Sequence, residues 1–141
     1  MNTHKIQFGP LELSLALMNR PRDTRALVAL SATVATPFSS AIVENLVCDF
    51  GDLLAFRRKL RRFVQKLDEG VVAMHVLMPM FDLALIMTSH GSVRTEIRLS
   101  SEVRYERHMY DFESTLEEAL DFARMLDHAL VSLPLKTPTV S

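Results

Sequence analysis

Between Leu11 and Leu17, leucines alternate with Glu12, Ser14 and Ala16, the period of a strand with one buried face. Ile6 and Phe8 stand before it, across the turn signal Gly9–Pro10. Leu27 to Thr36, rich in β-branched and small residues, predicts a second strand closed by Pro37 and Ser39–Ser40; Ile42 to Cys48 predicts a third. At Asp49–Phe50 the period changes. From about Asp52 to Asp68, Leu53, Phe56, Leu60, Phe63, Val64 and Leu67 fall on one helical stripe. Arg57, Arg58, Lys59, Arg61, Arg62 and Lys66 fill the other side, and Gly70 is a fitting stop.

Val71 to Met78 and Met80 to Thr88 predict two strands, or one broken at Pro79, and Val93 to Leu99 returns antiparallel. A three-residue loop, His90 to Ser92, would pair Met87 with Thr95, Leu85 with Ile97 and Leu83 with Leu99, keeping the inner face apolar. In the next hairpin, a loop at Leu99–Ser100–Ser101 sets Arg98 against Glu102, Glu96 against Arg104 and Arg94 against Glu106. Each such pair contributes about 0.2–1 kcal/mol.

A second helix opens on a capping box of Ser114 and Glu117. Its apolar arc collects Leu116, Ala119, Leu120, Phe122, Ala123, Leu126, Ala129, Leu130 and Leu133, and Pro134 ends it. The arc is wider than that of the first helix and predicts deeper packing. Its outer side carries Glu117, Glu118, Asp121, Arg124 and His128, with Met125 among them. A strand–helix unit thus occurs twice, with Asp49–Phe50 and Asp111–Phe112 at the two joins. The expected fold is α+β: a mostly antiparallel sheet of about six or seven strands with two amphipathic helices packed on one face. The domain should cover residues 1–134, followed by a flexible tail at 135–141.

Composition narrows the picture modestly. The chain has 141 residues, enough for one domain with a sizeable core, and its 48% apolar and 23% charged fractions are those of a globular protein. A single cysteine, Cys48, excludes an internal disulfide and a thiolate zinc cluster. No signal-like N-terminus and no membrane-length apolar run is present, so a cytoplasmic location and no membrane partner are expected.

Candidate chemistry is sparse. His4, His75, His90, His108 and His128 occur singly, without metal-ligand spacing. No nucleophile elbow and no phosphate-cradling glycine loop appears. Cys48 reads as a small core residue, and Asp49 and Asp52 as acids at a helix N-terminus. No catalytic residue, metal or cofactor is expected. Two surfaces remain. The acidic side of the second helix, Glu117, Glu118 and Asp121 with Met125, suits a protein partner. The basic side of the first, Arg57, Arg58, Arg61 and Arg62, is the alternative, suited to a nucleic-acid-associated or regulatory role. Nucleic acid is nevertheless disfavoured: the net charge is −1, the acidic helix offsets the basic one, there is no Trp, and Phe56 and Phe63 lie on the buried stripe. An exposed sheet edge could pair two copies, which leaves monomer and homodimer open.

The order of elements at Phe81 to Met87, Gly91, Val93 to Leu99, Asp111 to Leu116 and Leu120 to Leu130 resembles that of WapI-type bacterial immunity proteins. The sequence departs from that pattern in lacking Trp and in having Glu113–Ser114–Thr115 at the join. The resemblance implies a small, non-catalytic α+β module that neutralises a cognate toxin by steric binding.

Overall fold

The computed structural model describes residues 3–18, 27–66, 70–74, 76, 80–88, 91–100 and 107–133. Among them the chain runs β1 (His4–Phe8), β2 (Leu11–Leu17), β3 (Leu27–Ala35), β4 (Ser40–Asp49), α1 (Phe50–Lys66), β5 (Val71–Met74), β6 (Phe81–Met87), β7 (Ser92–Ser100), β8 (Arg107–Thr115) and α2 (Leu116–Ser132). The α+β class and the antiparallel pairing hold. The single sheet does not: β1-β2-β3-β4 and β5-β6-β7-β8 form two four-stranded sheets, each in sequence order.

Each sheet delivers the chain into a helix, and the helices cross over. α1 follows the first sheet yet packs against β5, while α2 follows the second sheet and packs against β1. The two helices also pack on each other. One cluster of buried apolar side chains runs through both sheets and both helices. A helix lying on the sheet of the other unit buries apolar stripes that neither unit could cover alone.

Local chemistry explains the joints. Gly9, at φ +56°, supplies the left-handed first position of the β1–β2 turn, and Pro10 suits the second. A Cβ on Gly9 would lie 2.8 Å from the Phe112 ring, so this turn also needs glycine for space. In β4, Leu30 pairs with Leu46 and Ala32 with Val43, so Glu44 and Asn45 together oppose Ser31. This bulge, with Asn45 at φ +61°, switches the parity of β4. Leu46 and Cys48 therefore share the inner face with Ala41 and Val43 despite the even–odd break. The β4–α1 join has no connecting loop, and the Asp49 carboxylate accepts the Gly51 N–H at 2.8 Å.

Several sequence expectations are corrected. The β6–β7 register pairs Met87 with Val93, Leu85 with Thr95 and Leu83 with Ile97, two residues from the expected one. Val93 joins the ladder because the turn closes earlier, Thr88 donating from N–H and Oγ1 to the Ser92 carbonyl. A slip of two keeps every side chain on its face.

The β7–β8 register differs more. Arg94 faces Glu113, Glu96 faces Asp111 and Arg98 faces Met109. The expected loop at Ser101 and its partners Glu102, Arg104 and Glu106 lie outside the described residues. β8 runs on to Thr115, which places Asp111–Phe112 within a strand, unlike Asp49–Phe50 at a true join.

The capping box is also one residue later. Thr115 Oγ1 accepts the Glu118 N–H at 3.1 Å, and the Glu118 carboxylate accepts the Thr115 N–H at 3.3 Å. Ser114 cannot serve, because strand alternation turns it inward, where its hydroxyl meets the Val93 carbonyl. Among the described residues α1 and α2 each bury six side chains, so the wider arc of α2, with Leu116 and Leu120 half-buried, does not make it the deeper helix.

Candidate functional site

α1 sets its basic residues at three distances from the core, which fixes what each can do. Leu53, Phe56, Leu60, Phe63 and Val64 are buried, so the helix is clamped in rotation. Arg57 and Arg61, one turn apart, lie on the flank that meets α2. There the Asp127 carboxylate takes Arg57 at 3.1 Å through one oxygen and Arg61 at 3.1 Å through the other. Arg58 and Arg62, also one turn apart, stand on the exposed side with Lys59. Among the described residues these three carry no ion pair. The Lys66 side chain lies outside the description.

The expected basic site thus divides. Arg57 and Arg61 are largely spent in holding α1 to α2, while Arg58, Lys59 and Arg62 leave positive charge facing solvent. None of the large exposed apolar side chains, Phe38, Ile42, Val71, Met109, Met125 and Val131, belongs to α1. The basic side is therefore an electrostatic surface without an apolar centre.

The acidic candidates are less free than their sequence suggests. Glu118 is committed to the capping box, and Asp121 lies 3.5 Å from Arg124. Glu117 is exposed, and Met125, 37% exposed, faces a recess shared with basic side chains. All four are nonetheless exposed on α2, with Glu117 and Asp121 one turn apart and Arg124 beside Asp121.

The outer face of the second sheet is a charge ladder with different rungs from those expected. Arg94 contacts Asp111 at 2.9 Å and Glu96 at 3.4 Å, and Arg98 contacts Asp82 at 3.7 Å. These are exposed pairs, worth about 0–1 kcal/mol each. Ala84 forms the floor of a groove of about 460 Å³ between them, with Met109 on its wall. Positive and negative charges compensate there, so the groove has no evident ligand class.

Cys48 is fully buried. Burial, with Asp52 and Asp49 adding to it, pushes its thiol up to about 12, and a protonated thiol is no nucleophile at neutral pH. Met74 and Met87 are core residues; His75, Met78, Pro79 and His90 lie outside the described residues. Among the described residues no three His, Cys, Asp or Glu side chains are placed to hold a metal ion. No helix of the described residues is long and apolar enough to cross a membrane.

No family model and no curated protein matches the chain. Among solved structures, the plant transcriptional regulator PBF-2 superposes with a TM-score of 0.49 at 8% identity, covering 94% of this chain and 81% of that one. WHY3 from Arabidopsis thaliana gives a TM-score of 0.46 at 9% identity, covering 94% of this chain and 88% of that one. These likenesses are silent on the WapI-type resemblance.

The expectation that disfavoured nucleic acid is corrected. Of the acidic helix, Asp127 reaches Arg57 and Arg61, and among the described residues Arg58, Lys59 and Arg62 carry no ion pair.

Proposed function

We propose that this protein is a nucleic-acid-associated binding module that holds the phosphate backbone on the exposed basic side of α1. The observation that carries the reading is the division within that helix: Arg58, Lys59 and Arg62 face solvent and, among the described residues, carry no ion pair, on an element whose orientation the core fixes. Phosphate contacts need cations held in register and no apolar anchor. A protein interface of stable size has an apolar centre, which this surface lacks. The contact is sequence-independent, because no side chain among these three is braced to read a base edge.

Three cations on a single strand release about two counterions, so log Kd should change with log salt with a slope of about 2. Raising salt from 50 to 200 mM should weaken binding roughly 20-fold. Fluorescence anisotropy with labelled single-stranded and duplex oligonucleotides measures this. Salt-insensitive binding, or none at low salt, defeats the reading.

Asp127→Asn provides a gain-of-binding counterpart. Without the carboxylate, Arg57 and Arg61 are released beside Arg58 and Arg62. The salt slope should rise toward about 3 and affinity at 50 mM salt should increase several-fold. Unchanged affinity in a folded Asp127→Asn protein would show that this flank takes no part.

A further inference from the structure

The edge strands of the two sheets are guarded unequally. β1 is five residues long with α2 packed against it, and β5 is four residues long with α1 packed against it. β4 is long, but the bulge at Asn45 breaks its line. β8 is nine residues long and pairs with β7 without a register shift. α2 leaves from its Thr115 end, away from Arg107. No described strand lies on the other side of β8, and among the described residues its outward backbone groups have no backbone partner. Such an edge is a template for one more antiparallel strand.

The side chains select that strand. Met109 is 73% exposed in the middle of the edge, where a protected edge would carry charge. Two residues to either side stand Arg107 and Asp111, on the same face of the sheet by strand alternation. Arg107 is exposed and has no ion pair among the described residues. Asp111 gives Oδ2 to Arg94 at 2.9 Å, which leaves Oδ1 for a second cation. A cation, an apolar residue and an anion at equal spacing are complementary to the same three turned end for end. A two-fold axis through Met109 sets Arg107 against Asp111 of a second copy, twice, and Met109 against its own counterpart. An axis at Asp111 would oppose two carboxylates, and one at Tyr110 would set Met109 against a carboxylate.

We propose that the protein forms a two-fold homodimer by antiparallel pairing of β8 with β8 of a second copy, centred on Met109. The pairing joins two four-stranded sheets into one continuous sheet. It is independent of the phosphate surface on α1, which it does not use.

Residues directly opposite across antiparallel strands have Cα atoms about 4.5–5.5 Å apart, within the span of a disulfide. Met109→Cys should therefore link two copies on mild oxidation, with Cys48 too buried to compete, and Tyr110→Cys should not. Sedimentation equilibrium of the unaltered chain should show a concentration-dependent dimer, as suits an interface at the small end of the usual range. Arg107→Glu and Asp111→Arg should each weaken it about tenfold or more, because like charges then meet at both ends of the pairing. Arg107→Glu should leave the melting temperature unchanged. Mixing the two variants should restore the dimer, since each altered side chain then faces its opposite charge. An unaltered chain that stays monomeric, Met109→Cys that does not link, stronger linking through Tyr110→Cys, or a mixture that remains monomeric overturns the proposal.

Discussion

Phe122→Ala should destabilise the protein by about 3–5 kcal/mol, a large part of the roughly 5–15 kcal/mol available to a domain of this size. The Phe122 ring is fully buried and stacks on Phe8 at 4.6 Å and an interplanar angle of 3°. Phe8 in turn meets Phe112 edge-on at 5.1 Å. These three rings come from α2, β1 and β8, so they join the second helix to the first sheet and to the last strand of the second. Removing the central contact leaves a ring-sized cavity that fixed backbones cannot close, and the cavity adds to the lost transfer energy. Urea denaturation should show the loss, and the melting temperature should fall by roughly 10 °C. Val131→Ala, on an exposed part of the same helix, should stay within about 0.5 kcal/mol. A loss below about 1 kcal/mol for Phe122→Ala would mean that α2 is not seated on β1.

The largest functional effect should come from reversing the basic side of α1. Arg58→Glu combined with Arg62→Glu removes two uncompensated cations and sets two anions one turn apart in their place. Oligonucleotide affinity at 50 mM salt should drop about 100-fold or more, because repulsion adds to the lost contacts. The fold should survive, since the two side chains are exposed and neither has an ion pair among the described residues. Arg57→Gln and Arg61→Gln should behave differently, costing stability at the α1–α2 contact and reducing affinity little. That contrast separates a binding surface from a merely basic helix. Equal losses from the two pairs would mean that total charge, rather than placement, governs binding.

Much of the fold was legible because most strands alternate cleanly and both helices carry a stripe. β2, β3, β6 and β7 could be read from Leu11–Leu17, Leu27–Ala35, Phe81–Met87 and Ser92–Ser100 almost to the residue. β1 was less visible, because His4 occupies an inward position that alternation would assign to an apolar residue. The bulge at Asn45 was hidden for a related reason: it changes the parity of β4, and a count along the chain cannot tell a parity change from a strand end. The overlapping boxes Ser114–Glu117 and Thr115–Glu118 are equivalent in sequence, and only the inward turn of Ser114 selects between them.

The division into two sheets was beyond local reading. A strand with one apolar face has the same pattern in one sheet of eight or in two of four, and the distinction lies in which strand each helix covers. The site shows the same limit. Arg57, Arg58, Arg61 and Arg62 form one basic run in sequence, but Asp127, distant in the chain, divides them into structural and solvent-facing pairs. Likewise His4 and His128 stood as isolated histidines until the crossing of β1 and α2 brought them to one recess.

Amide chemical-shift mapping of the labelled protein with a short oligonucleotide at low salt locates the binding surface directly. The largest perturbations should fall along α1 around Arg58, Lys59 and Arg62, and should fade as salt is raised. Perturbations confined to the outer face of the second sheet, around Arg94, Arg98 and Met109, would contradict that assignment.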